Sequence, residues 1–201
     1  MRLFALIITL SVFLTQSLYA QGENVYVIET AVGNIKLEVY PDKAPITVQN
    51  FIDYVELNGF ENADFFRVVR LDNQPNDSVM IEVIQGNFTD SAQMLPPIAH
   101  ETNNKTGILH KDGTVSMART KPGTASLSFF ICINDQPELD YGGKRNADGT
   151  GFAAFGQVIE GMDVVRKIQS GKTMTVSDAP FLWKSQMLKK KPRIKSIYKT
   201  E

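Results

Sequence analysis

Short runs rich in β-branched and aromatic residues recur along the chain, divided by clusters of Gly, Pro, Asn and Asp, and this pattern predicts strands. Two of them matter most: Phe65-Phe66-Arg67-Val68-Val69 and Ile81-Glu82-Val83-Ile84-Gln85-Gly86. Between them Asp72-Asn73-Gln74-Pro75-Asn76-Asp77 is a dense turn signal, so the simplest arrangement is an antiparallel hairpin. Side chains alternate across a strand, which puts Arg67, Val69 and Leu71 on one face. Val79, Ile81, Val83 and Gln85 share a face of the partner. An arginine and a glutamine interrupting apolar faces need a reason. On these residues alone, a sheet rim where the guanidinium reaches water or a carboxylate is sufficient.

The same reading gives strands at Val25 to Thr30 and Asn34 to Tyr40, joined through Ala31-Val32-Gly33. Pro41-Asp42-Lys43-Ala44-Pro45 breaks the pattern, and the period then changes. Val48, Phe51, Ile52 and Val55 fall at helical spacing, with Thr47 as N-cap and Gly59 as terminator. Residues 89–114 are polar and turn-rich, with Pro96-Pro97, and predict no regular element. Further strands are predicted at Val115 to Ala118, Ser128 to Asn134, Phe152 to Ile159 and Arg193 to Tyr198, with a helix at Met162 to Gln169. Many strands and two separated helices predict a closed barrel with helical caps.

At 201 residues the chain suffices for one well-buried domain. Its formal charge of −1 gives no global field toward nucleic acid or an anionic membrane. Seven basic residues against one acidic between Lys184 and Glu201 fit a solvated C-terminal face. Residues 1–20 read as a cleavable signal peptide: Arg2, an apolar run from Leu3 to Leu14, and a cleavage site after Ala20. Retention as an anchor is the alternative. The expected domain is therefore residues 21–201, with 20 basic and 22 acidic residues once Arg2 is removed. Cys132 is the only cysteine, so no intramolecular disulfide is available despite the export signal. Within Phe129-Phe130-Ile131-Cys132-Ile133 it reads as a buried small hydrophobe.

Several chemistries lack their residues. His100 and His110 have no cysteine or acidic partner at zinc-ligand spacing. There is no Gly-x-Ser-x-Gly elbow, phosphate-cradling glycine loop or dinucleotide fingerprint. Asn146-Ala147-Asp148-Gly149 fails as a calcium loop, because Lys144 and Phe155 would fill the first and twelfth positions. No carboxylate pair is indicated. No cofactor or metal is expected.

One ordered set of segments remains. Phe65-Phe66-Arg67-Val68-Val69, Ile84-Gln85-Gly86, Gly113-Thr114-Val115-Ser116-Met117-Ala118-Arg119, Ser128-Phe129-Phe130-Ile131, Leu139-Asp140 and Phe155-Gly156-Gln157-Val158-Ile159-Glu160-Gly161-Met162-Asp163-Val164-Val165 together resemble the cyclophilin family of peptidyl-prolyl cis-trans isomerases. The helix start Thr47-Val48-Gln49-Asn50-Phe51 is similar too, so the resemblance covers nearly the whole mature chain. It implies a mainly β fold, an eight-stranded antiparallel closed β-barrel capped by two α-helices. The implied partners are proline-containing segments of unfolded or exported proteins, without nucleic acid or, after signal cleavage, a membrane. The implied activity is isomerisation of X-Pro bonds by an exported, periplasmic monomer. A non-catalytic module that binds proline-containing peptides is the alternative.

By position, the resemblance implies Arg67 as the catalytic arginine, with Gln85 holding it and the substrate backbone. Phe130, Val83, Leu139 and Phe152 would form the proline pocket, and Ala118, Arg119 and Thr120 would lie along the peptide. Phe66 and Ser128 would border the substrate, where histidine and glutamine are common in the family. Arg119 stands where asparagine is common. Glu138 replaces the tryptophan that many eukaryotic members carry and that is associated with cyclosporin binding.

If residues 1–20 are a cleaved signal, the intact mass of the protein from its native envelope should correspond to a chain beginning at Gln21. Full-length chain in the membrane fraction would show an anchor instead.

Overall fold

In the computed structural model, residues 24–74, 78–89, 91–175 and 184–200 are described; the predicted signal peptide and part of the 72–77 turn lie outside them. Eight strands follow the hydrophobic pattern closely: β1 (Val25–Thr30), β2 (Gly33–Val39), β3 (Phe65–Val69), β4 (Val83–Asn87), β5 (Thr114–Met117), β6 (Ser128–Cys132), β7 (Ala153–Glu160) and β8 (Ile194–Lys199). They form one sheet in the order β3-β4-β6-β5-β7-β2-β1-β8, and every pairing is antiparallel.

The sheet curls until its edge strands β3 and β8 approach, but no ladder joins them. An isolated bridge at Asp64–Arg193 spans the seam, with Phe65 N–H donating to Pro192 O and Ile194 N–H to Ala63 O, both at 2.9 Å. The expected closed barrel is therefore an open, curled half-barrel. The reason lies in the segment before β8. Met187 bridges Arg67, and Leu188 N–H donates to Phe66 O at 2.9 Å, so residues 187–188 occupy the edge of β3 that a pairing strand would need.

Inside the curl, Ile28, Ile35, Leu37, Phe65, Ile84, Val115, Met117, Phe129, Ile131 and Phe155 form the core. Helix α1 (Pro45–Leu57) packs Val48, Phe51 and Tyr54 against it. Phe51 meets Tyr26 edge-on at 4.9 Å, and Phe88 stacks on Phe129 at 4.4 Å, contacts worth more than their buried area alone. Helix α2 (Met162–Gln169) adds Val165 and Ile168. Cys132 is fully buried, and burial pushes its thiol far up.

The start of α1 differs from expectation. Ala44 is the N-cap, Pro45 is the first helical residue, and Thr47 is the third. The free N–H groups are met from outside. The Glu101 carboxylate accepts from Ile46 N–H at 3.2 Å, Thr47 N–H at 2.7 Å and the Thr47 hydroxyl at 2.7 Å. An acidic group at this end also opposes the helix dipole. The helix stops at Asn58 in the left-handed region (φ 49°), one residue before Gly59. Glu101 belongs to the polar stretch after β4. That stretch has little regular structure but is fastened to the body, with Leu95 N–H donating to Tyr54 Oη at 2.9 Å and Ser126 Oγ donating to Leu95 O at 2.6 Å.

Replacing Glu101 by Ala should lower unfolding free energy by about 1 kcal/mol, the usual loss of a helix cap. Chemical denaturation checks this; an unchanged midpoint would show that solvent caps α1 equally well.

Candidate active site

Arg67, Gln85, Val83, Phe130, Leu139, Ala118 and Phe152 come together on the outer face of the sheet. Strict alternation from buried Phe65 would turn Arg67 inward. Instead the register between β3 and β4 shifts between Phe65 and Arg67: Phe65 pairs with Gly86, and Arg67 with Gln85. This bulge at Phe66 turns Arg67 outward with Val69, while Val68 stays in the core. Gly86 permits the tight crossing, because a Cβ there would lie 2.9 Å from Asp64 O. Gln85 pairs in turn with Phe130, and Phe130 with Ser116. Arg67, Gln85, Phe130 and Ser116 thus form one row across four strands.

Arg67 is braced by two amides. Its Nη1 donates to Gln85 Oε1 at 2.8 Å, while Nε and Nη2 donate to Gln186 Oε1 at 2.9 and 2.6 Å. A guanidinium only donates, so both amide oxygens must face it. Among the described residues these bonds use three of its five N–H groups, leaving one on each terminal nitrogen. Burial, then the nearby positive charge of Arg145, lowers Arg67 to about 10, so it stays charged at neutral pH.

Beside this row lies an apolar cluster on the same outer face: Val69, Ile81, Val83, Phe130, Cys132 and Leu139, with Ala118 and Phe152 packed against it. Phe152 meets Phe130 edge-on at 5.2 Å. His110, which motif reading used only to exclude a metal, supports the cluster from behind. Its ring stacks on Phe130 at 5.9 Å. Its Nδ1 lies 2.7 Å from Asp140 Oδ1 and its Nε2 lies 3.0 Å from Ser116 Oγ. This order of groups resembles a nucleophile triad, but Ser116 and His110 are completely covered, with no open face for an acyl group. The histidine fixes the angle of Phe130.

A shallow depression continues from Gln85, lined by Ala118, Arg119, Thr120, Thr124, Ser128 and Met94. Thr120 is exposed, and the Ser128 hydroxyl donates to Asn87 Oδ1 at 2.5 Å. Arg119 lines this depression with Ala118 and Thr120, but not through its guanidinium. Its side chain is 1% exposed and points away from the depression into the 148–151 loop, so only its backbone side faces outward. The guanidinium donates to Gly151 O at 2.9 and 2.6 Å, to both Asp148 oxygens at 2.8 Å and to Thr150 Oγ1 at 3.0 Å. It also lies 5.2 Å over the Phe152 ring. Phe66 lines a different hollow, with Asp64, Asn87 and Met187. Glu138 accepts from Lys144 N–H at 2.8 Å at the far edge of the cluster.

The family model described as "Cyclophilin type peptidyl-prolyl cis-trans isomerase/CLD" matches residues 25–198. The chain belongs to this family. It is 37% identical over 160 residues to a peptidyl-prolyl cis-trans isomerase of Acinetobacter baylyi, covering 79% of each chain. It is 35% identical to peptidyl-prolyl cis-trans isomerase B of Escherichia coli, covering 74% of this chain and 87% of that one. The fold matches a cyclophilin-type isomerase of Cryptosporidium parvum, determined in the presence of the dipeptide Ala-Pro. The TM-score is 0.67 at 19% identity, over 89% of this chain and 99% of the other. The protein is a peptidyl-prolyl cis-trans isomerase.

Two parts of the isomerase's candidate site had no local sequence signal. Gln186 comes from the short 3-10 turn Lys184–Gln186, 119 residues after Arg67. His110 lies 30 residues from Asp140, at no motif spacing. Asp140 itself stands in the Leu139-Asp140 segment of the resemblance, which is the one sequence clue to this support.

The Arg119 fork, with help from Thr150, holds the Asp148 carboxyl well below its ordinary value of 3.8. A depressed folded-state value means that the pair stabilises fully above the ordinary value and is lost only as pH falls toward the folded one. Arg119→Ala should therefore lower the thermal midpoint by a few degrees from neutral pH down to about 4. The gap to the parent should narrow only in stronger acid, where Asp148 protonates while the Gly151 and Thr150 bonds remain. Unfolding scans across pH check this, and a gap that closes at neutral pH would contradict it.

Proposed function

We propose that this isomerase acts on X-Pro bonds of exported proteins in the periplasm, as a monomer, and that Arg67 is its catalytic residue. One observation carries the reading: a charged guanidinium, fixed by Gln85, stands beside an apolar hollow with an N–H left on each terminal nitrogen. The signal-like residues 1–20 support export. The Ala-Pro dipeptide accompanying the Cryptosporidium structure supports a proline-containing substrate.

Peptide-bond rotation faces a barrier of ~18–20 kcal/mol, because resonance gives the C–N bond double-bond character. The two X-Pro isomers lie close in energy, so the enzyme has only to lower the barrier. Twisting the bond breaks the resonance and leaves a lone pair on the prolyl nitrogen. A guanidinium N–H donates to that lone pair in the twisted state and finds no comparable acceptor in the planar one, which is differential binding of the transition state. Phe130, Val83, Leu139 and Phe152 hold the pyrrolidine ring while the preceding carbonyl turns. The Gln85 amide has Oε1 fixed by Arg67, which leaves its Nε2 donors for a substrate carbonyl. Ala118, Thr120 and the Arg119 backbone border the rest of the peptide, with Ser128 flanking it and Phe66 lying outside this depression. No nucleophile is needed.

Arg67→Ala should leave the fold intact while isomerase turnover falls about 10²–10³-fold, the usual loss of a preorganised transition-state donor. Arg67→Lys should recover little, since it keeps the charge and loses the planar fork. A protease-coupled or NMR exchange assay on a proline peptide measures both. Parent-like turnover in folded Arg67→Ala would falsify the assignment. Peptide binding without turnover in the parent would leave a proline-binding module.

A further inference from the structure

We propose that Gln186 is a positioning residue for Arg67, setting turnover through the direction of the guanidinium rather than through contact with substrate. Its single amide oxygen takes two of Arg67's N–H groups, Nε at 2.9 Å and Nη2 at 2.6 Å, so it fixes the plane of the fork as well as its place. Gln85 reaches only Nη1 and leaves rotation about that bond free. Gln186 is itself immobilised. It is 5% exposed, and its Nε2 donates to Asn73 O at 3.1 Å.

Asn73 is locked in its turn. Its Oδ1 accepts from Arg70 N–H at 2.8 Å, and its Nδ2 donates to Val68 O at 3.1 Å. The brace therefore starts at the backbone of β3, passes through Asn73 and Gln186, and returns to the side chain of β3. Every bridging group is neutral. Among the described residues no carboxylate lies within ion-pair distance of Arg67. A glutamine at 186 thus holds the fork without cancelling the charge that the twisted bond needs. Without the brace, the guanidinium samples other planes, and fewer encounters meet the prolyl nitrogen correctly.

The inference rests on the proposed role of Arg67, which Arg67→Ala tests alone. Gln186→Met keeps length and volume but removes the acceptor. We expect kcat to fall about tenfold or more, since both hydrogen bonds from the charged fork to this oxygen are lost, with KM changed less than twofold. In the Arg67→Ala background the same substitution should change turnover no further, because it acts only through Arg67. Should Gln186→Met fail to fold, Gln186→Asn withdraws the oxygen by one methylene, keeps a polar side chain and carries the same comparison.

Parent-like kcat in a folded Gln186 variant, with Arg67→Ala inactive, overturns the brace and leaves the role of Arg67 standing. An equal further loss in the Arg67→Ala background also overturns it, marking Gln186 as general structure. Full activity in Arg67→Ala removes the role of Arg67 and the brace together.

Discussion

A positive charge held half-buried by neutral partners is the constraint around which this molecule is arranged. A carboxylate would be the ordinary neighbour for a partly desolvated guanidinium, and would satisfy it more strongly than an amide. Arg67 instead meets Gln85 and Gln186, and its environment disfavours the charged form enough to lower it to about 10. That desolvation is tolerable because the site remains open on one side and because the two oxygens are themselves fixed. Much of the surrounding structure follows from it. The bulge at Phe66 aims the arginine outward, Gly86 makes room for the bulge, and the chain before β8 folds back along β3 to deliver the second amide.

The apolar half of the site obeys a complementary rule. Phe130 stands on the outer face of a sheet whose inner face already holds Phe129 and Ile131, so a second, smaller cluster must cover it. His110, Asp140 and Ser116 provide a polar backing whose hydrogen bonds are mutually satisfied. Arg119 and Asp148 tie down the loop that carries Phe152. The hollow thus consists of soft walls on rigid supports, a suitable form for gripping a small ring while one bond turns.

Local pattern was enough for the strands, for both helices and for placing Arg67 with Val69 and Ile81 with Val83, because alternation and helical spacing report burial directly. The segment order led to the family, and Cys132 read as buried from its neighbours. What escaped was set by long-range geometry. The Glu101 cap joins residues 54 apart in sequence, and the Gln186 brace joins residues 119 apart. Arg119 fills a position expected to face substrate, but Asp148 and Gly151 offered its fork a better set of acceptors. Closure of the barrel was the natural expectation from eight strands. Residues 187–188 compete for the edge of β3, and no count of strands reveals such a competitor.

The seam between the first and last strands of the sheet order has a consequence for how the molecule is made. Strand β3 and its arginine are synthesised in the first third of the chain, yet the edge beside them is filled only by residues 187–194. During synthesis from the N-terminus that edge stays bare, a row of unpaired backbone donors and acceptors open to a foreign strand. A chain emerging residue by residue therefore cannot complete this site early, however well its hairpin and helix have formed. Completion waits until residues 187–194 reach back to the β3 they cover.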